Sequence, residues 1–185
     1  MQSKRIPLQD AALNEILRGV CPSMQEAEMP IRIALYQPDI APNAATIIRM
    51  AACFGLQVSV IEPAGFVWSD SGFRRAGMDY LDLAQVVRVP SWAEFRRRHA
   101  RDRLILMTTG GNLPLHQFRF APDDIILMGR ESAGVPDEVH EAAAARLAIP
   151  MMPGARSLNV AMACAMASHE ALRQLSGFPA GGGSG

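Results

Sequence analysis

The sequence predicts an α/β domain built on a mostly parallel sheet with helices on both faces. Short apolar runs without in-and-out alternation, as strands covered on both sides require, take turns with segments whose apolar residues recur at helical spacing. The 185 residues are 49% hydrophobic and 19% charged, which supplies one core and excludes a disordered or fibrous chain. No segment repeats.

Residues 1–29 read as an N-terminal extension, flexible or a short helix. Asp10 can cap a turn carrying Leu13, Ile16, Leu17 and Val20, which CPSMQEAEMP then breaks. The domain proper is expected over residues 30–179. IRIALY (31–36) reads as a buried strand, NAATIIRMAACFG (43–55) as a helix stopped by Gly55, and QVSVIE (57–62) as the next strand, giving a βαβ unit. AQVVRV (84–89) adds a third strand, and Ser91 with Glu94 forms a capping box that opens the helix SWAEFRRRHA (91–100). RLILMTT (103–109) and DIILMG (124–129) follow as strands, with GGNLPLHQF (110–118) as the loop between them. A helix over PDEVHEAAAA (136–145) leads to RLAIPM (146–151), and a long helix runs from Ser157 to about Leu175. Residues 180–185, AGGGSG, have the composition of a flexible tail.

Several function classes drop out. No apolar run approaches the roughly 18 to 20 residues that span a bilayer, and the N-terminus lacks the layout of a secretion signal, so a cytoplasmic protein with no membrane partner is expected. Cys21, Cys53 and Cys164 are far apart and in no C-x-x-C arrangement, which fits reduced, buried thiols. His99, His116, His140 and His169 lack metal-ligand spacing, so no metal is expected. Zero net charge excludes an indiscriminate polyanion binder but permits a local patch. The arginines cluster at Arg74 and Arg75, and again at Arg96, Arg97, Arg98, Arg101 and Arg103.

In such a sheet, ligands bind beyond the carboxyl ends of the strands. The loop after the first strand, QPDIAPNAATIIR, contains no glycine, so it is not a dinucleotide fingerprint, and no phosphate-cradling G-x-x-x-x-G-K-[ST] or hydrolase G-x-S-x-G occurs. Polar residues gather instead in three loops: Asn43 with Arg49 six positions on, Glu131 in GRESAGVP (129–136), and Ser157 with Asn159. Gly129 and Gly134 are expected to let backbone approach a ligand. Taken singly, each polar residue has a local alternative: Asn43 and Ser157 as helix N-caps, Glu131 as a loop carboxylate, Arg49 as an ion-pair partner.

Together, APNAATIIR (41–49), ILMGRESAGVP (126–136) and IPMMPGARSLNVAMA (149–163) resemble, in order and separation, the three motifs of the SPOUT class of RNA methyltransferases. EPAGFVWSDSGFRRAGMDY (62–80) is similar to the TrmL-type subfamily, which methylates the ribose of the wobble nucleotide, cytidine or uridine 34, in tRNA. The resemblance covers about residues 31–179. It implies a C-terminal trefoil knot, S-adenosylmethionine as methyl donor with S-adenosylhomocysteine as product, and a homodimer whose sites borrow from both subunits. Carried over by position, it implies cofactor contacts at Met107, Thr108, Gly129, Ile149, Ser157 and Leu158, and a reaction site of Asn43, Arg49, Glu131, Ser157 and Asn159. An arginine is a poor proton acceptor because its pKa lies above about 12. Arg49 therefore reads as an orienting and charge-stabilising group near the ribose and phosphate. The implied partner is the tRNA anticodon stem-loop, held by Arg74 and Arg75 with the Arg96–Arg98 run as a further candidate. The alternatives are a SPOUT enzyme acting on another tRNA or rRNA ribose, and a catalytically silent RNA-binding dimer.

Three positions depart from the resemblance: Ala45 stands where the family commonly has glycine, and Arg130 and Ala133 where close relatives often have proline and arginine.

Overall fold

The computed structural model describes residues 30–68 and 83–180. The N-terminal extension, the Gly-rich residues 181–185, Cys21, Arg74 and Arg75 lie outside the described residues. The strands are β1 (Ile31–Tyr36), β2 (Gln57–Ile61), β3 (Gln85–Val89), β4 (Leu104–Met107), β5 (Leu113–Pro114), β6 (Asp124–Met128) and β7 (Ala145–Ala148). The helices are α1 (Ala41–Phe54), α2 (Trp92–Arg98), α3 (Asp137–Ala142) and α4 (Val160–Leu175). The strands form one sheet in the order β3-β2-β1-β6-β4-β7-β5, and every pairing is parallel. The expected fold class is the one observed.

Alternate residues of each strand point to opposite faces, and each face is covered by its own helices. Ile31, Ile33 and Leu35 of β1 join Val58, Val60, Ile105, Met107, Ile126 and Met128 against α1 and α4. Ala34 and Tyr36, with Ile61, Val89, Leu104, Leu106, Ile125 and Leu127, pack against Phe95 of α2 and Val139 of α3. Burial on both faces is why the strands read as continuous apolar runs.

The elements differ from expectation mainly at their ends. Helix α1 begins at Ala41, two residues early, with Ile40 as an N-cap that makes no side-chain hydrogen bond. Its first turn carries Pro42, whose missing N–H would have no helical acceptor there. Gly55 ends it in the left-handed region, with its N–H and that of Leu56 returning to Ala52 and Ala51. Ser91 accepts the expected bond from the Glu94 N–H at 3.2 Å, whereas the Glu94 carboxylate turns outward to Arg97 and Arg98. Hydrogen bonds from these two guanidiniums pull the Glu94 carboxyl down to about 2. Within the loop read over 110–118 lie the edge strand β5, where Pro114 needs no ladder donor on its open side, and a 3₁₀ turn at Leu115–Gln117. Helix α3 stops at Ala142 because Ala145 already belongs to β7. Helix α4 begins at Val160 rather than Ser157.

Small residues on α4 allow close packing. Ala161, Cys164, Ala167, Ser168 and Ala171 are buried where the helix crosses α1 and the ends of β1, β4 and β6. Burial pushes the Cys164 thiol up to about 12, so it is an inert packing group. Cys53, expected to be buried, is exposed on the solvent side of α1 instead.

Phe95, fully buried and stacked on Trp92 with ring centroids 5.7 Å apart, anchors the α2 layer. Phe95→Ala is expected to cost about 3–5 kcal/mol, read as a lower denaturant midpoint at unchanged slope.

Candidate active site at the sheet switch point

The chain leaves β1 for β2 and β3 on one side, then crosses back to fill β4 to β7 on the other, so the strand order reverses beside β1 and a site is expected at the carboxyl ends of the strands. A cavity of about 670 Å³ lies there, beyond the carboxyl ends of β4, β6 and β7. Its wall is partly apolar, with Leu106, Met107, Ile149, Leu158 and Val160, and partly polar, with Asn43, Glu131, Ser157 and Asn159. Every residue expected to contact a cofactor (Met107, Thr108, Gly129, Ile149, Ser157 and Leu158) lines it.

Three of the expected reaction-site residues form a hydrogen-bonded relay. Asn159 is the N-cap of α4, and its Oδ1 accepts from the backbone N–H groups of Ala161 and Met162 at 2.9 and 3.3 Å. Backbone N–H groups only donate, so the oxygen of this amide is fixed and its Nδ2 must face away from the helix. That Nδ2 donates to Asn43 Oδ1 at 3.0 Å, and Asn43 Nδ2 in turn donates to Glu131 Oε1 at 3.1 Å. Glu131 Oε2 accepts from the Asp39 N–H at 2.9 Å. The relay joins residues far apart in sequence, and its direction requires an acceptor at the end, which the Glu131 carboxylate supplies. Neither local alternative for Asn43 and Ser157 holds. Asn43 lies inside the first turn of α1, and the cap of α4 is Asn159.

The loop that carries Glu131 closes on itself. Arg130 and Gly134 exchange both backbone hydrogen bonds at 2.9 Å. A Cβ on Gly129 would sit 2.9 Å from the Gly134 carbonyl carbon, and Gly134 itself has φ +64°. These glycines therefore serve closure of the loop, and both also line the cavity. Asp39, which sequence reasoning passed over, grips the same loop. Its Oδ1 accepts from Arg130 Nε and Nη2 at 3.2 and 2.9 Å, and its Oδ2 accepts from the Ser132 N–H at 3.1 Å and from the Ser132 hydroxyl. The Ser132 hydroxyl first, then the Arg130 guanidinium, hold its carboxyl below the usual carboxylate range. The signal available was its position: the acidic side chain after β1, in the sheet-end loop where a site was sought. His140 and Arg156 also line the cavity and were not expected there.

Arg49 is not in the cavity wall. It lies on the exposed stripe Pro42, Thr46, Arg49, Cys53 of α1 and makes its own contacts there. Ala45 is buried inside α1, where alanine is a better helix residue than the glycine of the resemblance, so this departure leaves the loop intact. The Arg96–Arg98 run lies at the far edge. Helix α2 leaves the carboxyl end of β3 and runs back, so that Asp102 just beyond it pairs with Arg32 at the start of β1, 3.2 Å away. Arg97 and Arg98 are held by Glu94, and Arg96 leans over the Trp92 ring. Among the described residues, no group of His, Cys, Asp and Glu is arranged to hold a metal, and no helix is long and apolar enough to cross a membrane.

The sequence model of the SpoU rRNA Methylase family matches residues 30–169. The chain belongs to this family. A tRNA (cytidine(34)-2'-O)-methyltransferase of Ancylobacter novellus is 55% identical over 152 residues, covering 81% of this chain and 96% of that protein. The protein of the same name from Escherichia coli K12 is 36% identical over 151 residues, covering 80% and 96%. Among solved structures, one described as giving structural insights into the 2-OH methylation of C/U34 on tRNA superposes with TM-score 0.75 at 37% identity, over 80% of this chain and 97% of that one. The SpoU methyltransferase AviRb from Streptomyces viridochromogenes, solved in complex with the cofactor AdoMet, has TM-score 0.68 at 28% identity, over 83% of this chain and 62% of that one. For this SpoU methylase, the cavity and the relay along its wall thus lie in the part that the family shares.

The relay separates two jobs of Asn159 that one substitution would confuse. Asn159→Ala is expected to lower stability by about 1 kcal/mol through loss of the cap. Asn159→Asp keeps the cap but sets a carboxylate against Asn43, whose amide cannot then donate both ways while Glu131 needs it. Melting curves should show Asn159→Asp close to wild type, with cofactor or substrate turnover impaired as in Asn159→Ala.

Proposed function

We propose that this SpoU methylase transfers a methyl group from S-adenosylmethionine to the ribose 2'-hydroxyl of nucleotide 34 of tRNA, leaving S-adenosylhomocysteine. The observation that carries the reading is the Glu131–Asn43–Asn159 relay, which brings the loops after β1, β6 and β7 to one cavity wall. The choice of nucleotide rests on the similarity to the cytidine-34 enzymes across nearly their whole length.

The cavity fits the cofactor. Its volume lies in the range of small-molecule sites, and its apolar stretch faces a polar one, as a ligand with a purine at one end and charged groups at the other requires. Met107, Thr108, Gly129, Ile149, Ser157 and Leu158 would hold it, and when bound it supplies a methyl group on a positively charged sulfur. The protein's own contribution is position, which counts for most in a transfer between two bound groups. Asn43 and Asn159 fix Glu131. Each Glu131 oxygen takes one donor from the protein and keeps a lone pair for a hydroxyl hydrogen. In the transfer, the 2'-oxygen forms the new bond to carbon as the carbon–sulfur bond breaks, and the hydroxyl proton passes to an acceptor. Ser157, on the exposed loop before α4, orders that loop against cofactor or ribose. Arg49 orients the ribose and its phosphate from the rim, which its exposed place on α1 allows.

The anticodon stem-loop is the expected RNA element, with Arg74 and Arg75 as its contacts, and tRNA as substrate implies a cytoplasmic protein. Several features support a homodimer. Met162 and Met166, one helical turn apart on α4, are 60% and 43% exposed. They border an apolar hollow of about 450 Å³ with Leu115, Ile149 and Pro150, directly behind the cavity wall. A second copy seated there would place each site beside the partner. The return of α4 across α1 and the sheet supports the trefoil threading that the resemblance implies.

Incubation with radiolabelled S-adenosylmethionine and total tRNA, followed by nuclease mapping, should place the label on the ribose of nucleotide 34. Label at another ribose would redirect the assignment, and cofactor binding without transfer would make the protein a silent RNA binder. Arg49→Ala should reduce transfer by about 100-fold or more while cofactor binding persists. By light scattering after gel filtration, the wild type should run at twice the chain mass, and Met162→Glu with Met166→Glu should shift it to the monomer.

A further inference from the structure

Three consecutive residues of the loop after β6 turn toward one residue of the loop after β1. Arg130 and Ser132 donate to the Asp39 carboxylate, and Glu131 between them accepts from the Asp39 backbone N–H. Asp39 is pinned from the opposite side as well. Gly65 donates its N–H to the Pro38 carbonyl at 2.9 Å, and a Cβ on Gly65 would lie 3.0 Å from the Asp39 Cα. The residue is thus wedged between the loops after β2 and β6, with its carboxylate only 17% exposed. Charge-assisted bonds of this kind are about twice as strong as neutral ones and fix direction as well as distance. The Arg130–Gly134 bridge makes the loop a closed unit, so gripping its two flanks sets the direction of the residue between them.

We infer that Asp39 is a positioning residue for methyl transfer: by clasping residues 130 and 132 it aims Glu131 at Asn43 and so holds the relay in register. The inference rests on the function proposed above. It also gives Arg130 a role, since the arginine that departs from the resemblance is the clasp's counter-ion. The clasp differs from the relay it supports because Asp39 itself is not part of the cavity wall.

The test compares wild type with Asp39→Asn, Asp39→Ala, Asp39→Glu and Gly65→Ala in steady-state turnover on tRNA, in cofactor binding, and in hydrogen exchange of the 130–134 amides. Asp39→Asn and Asp39→Ala should lower kcat by about 10- to 100-fold, the scale of a misplacement near 1 Å, with KM for tRNA and cofactor affinity within about threefold. Exchange at the Arg130 and Gly134 amides should quicken. Asp39→Glu, which restores the charge, should recover part of kcat. Gly65→Ala, whose Cβ would press on the Asp39 Cα and Oδ1 while leaving the carboxylate's charge in place, should lower kcat in the same sense. Turnover within about twofold of wild type with unchanged exchange overturns the inference, as does a loss carried wholly by KM. If wild type transfers no methyl to nucleotide 34, the proposed function fails by itself. The clasp then stands on faster exchange in Asp39→Asn and falls on equal exchange. Should Asp39→Ala not fold, Asp39→Glu and Gly65→Ala decide by the same readouts.

Discussion

Two backbone N–H groups at the start of α4 set the direction of the hydrogen bonds that join Asn159, Asn43 and Glu131 along the cavity wall. Because the Ala161 and Met162 amides can only donate, Asn159 must turn its oxygen inward and its nitrogen outward. Asn43 must then accept on one side and donate on the other, and the Glu131 carboxylate, which also accepts from the Asp39 N–H, completes the series. A glutamine at the end would offer one acceptor oxygen to two donors, the Asn43 amide and the Asp39 N–H, and would leave two donors facing. The helix terminus thus acts as a template that selects the orientation of groups contributed by two distant loops.

This arrangement couples packing to chemistry. Helix α4 is seated by small side chains against α1 and the sheet, and α1 carries Asn43 in its first turn. A shift of either helix would separate the Asn159–Asn43 pair before it disturbed the cores. The sheet supplies the opposite quality. With strands buried on both faces and parallel throughout, β1 and β6 are fixed in register, Leu35 beside Met128, so the loops that leave them start from a rigid edge. The loop after β6 gains further order from its own bridge and from Asp39. The loop before α4, by contrast, is exposed over residues 152–158 where it borders the cavity.

The strands and the class of fold were legible because double-sided burial leaves apolar runs that need no partner to be recognised. The residues of the cavity wall were legible through the resemblance, and as polar groups in sheet-end loops. Their connectivity was not. Whether Asn159 or Ser157 caps α4 depends on where the chain turns, and both are good capping residues three or fewer positions from the first helical turn. Asp39 was hidden for a different reason: a lone carboxylate gains meaning only from Arg130 and Ser132, more than 90 positions away. The glycines were noticed as positions that need freedom from a Cβ, but the need differs: Gly129 lies against the loop's own backbone, whereas Gly134 takes a left-handed φ. Exposure of Cys53 likewise depends on which stripe of α1 faces the sheet, and that was set by Ile47, Ile48 and Ala51.

Charge places a further constraint on how RNA is met. The chain has no excess charge to spend, and in the basic run on α2 Arg97 and Arg98 pair with Glu94 while Arg96 lies over the Trp92 ring. The arginines near the cavity are differently disposed: Arg130 is held by Asp39, Arg156 sits on the exposed loop before α4, and Arg49 stands on the solvent stripe of α1. Zero net charge gives little bulk attraction for a polyanion, so the placement of individual guanidiniums counts for more than their number. The donors that remain near the cavity are arginines, whose planar forks fix an oxygen pair in place rather than merely attract it.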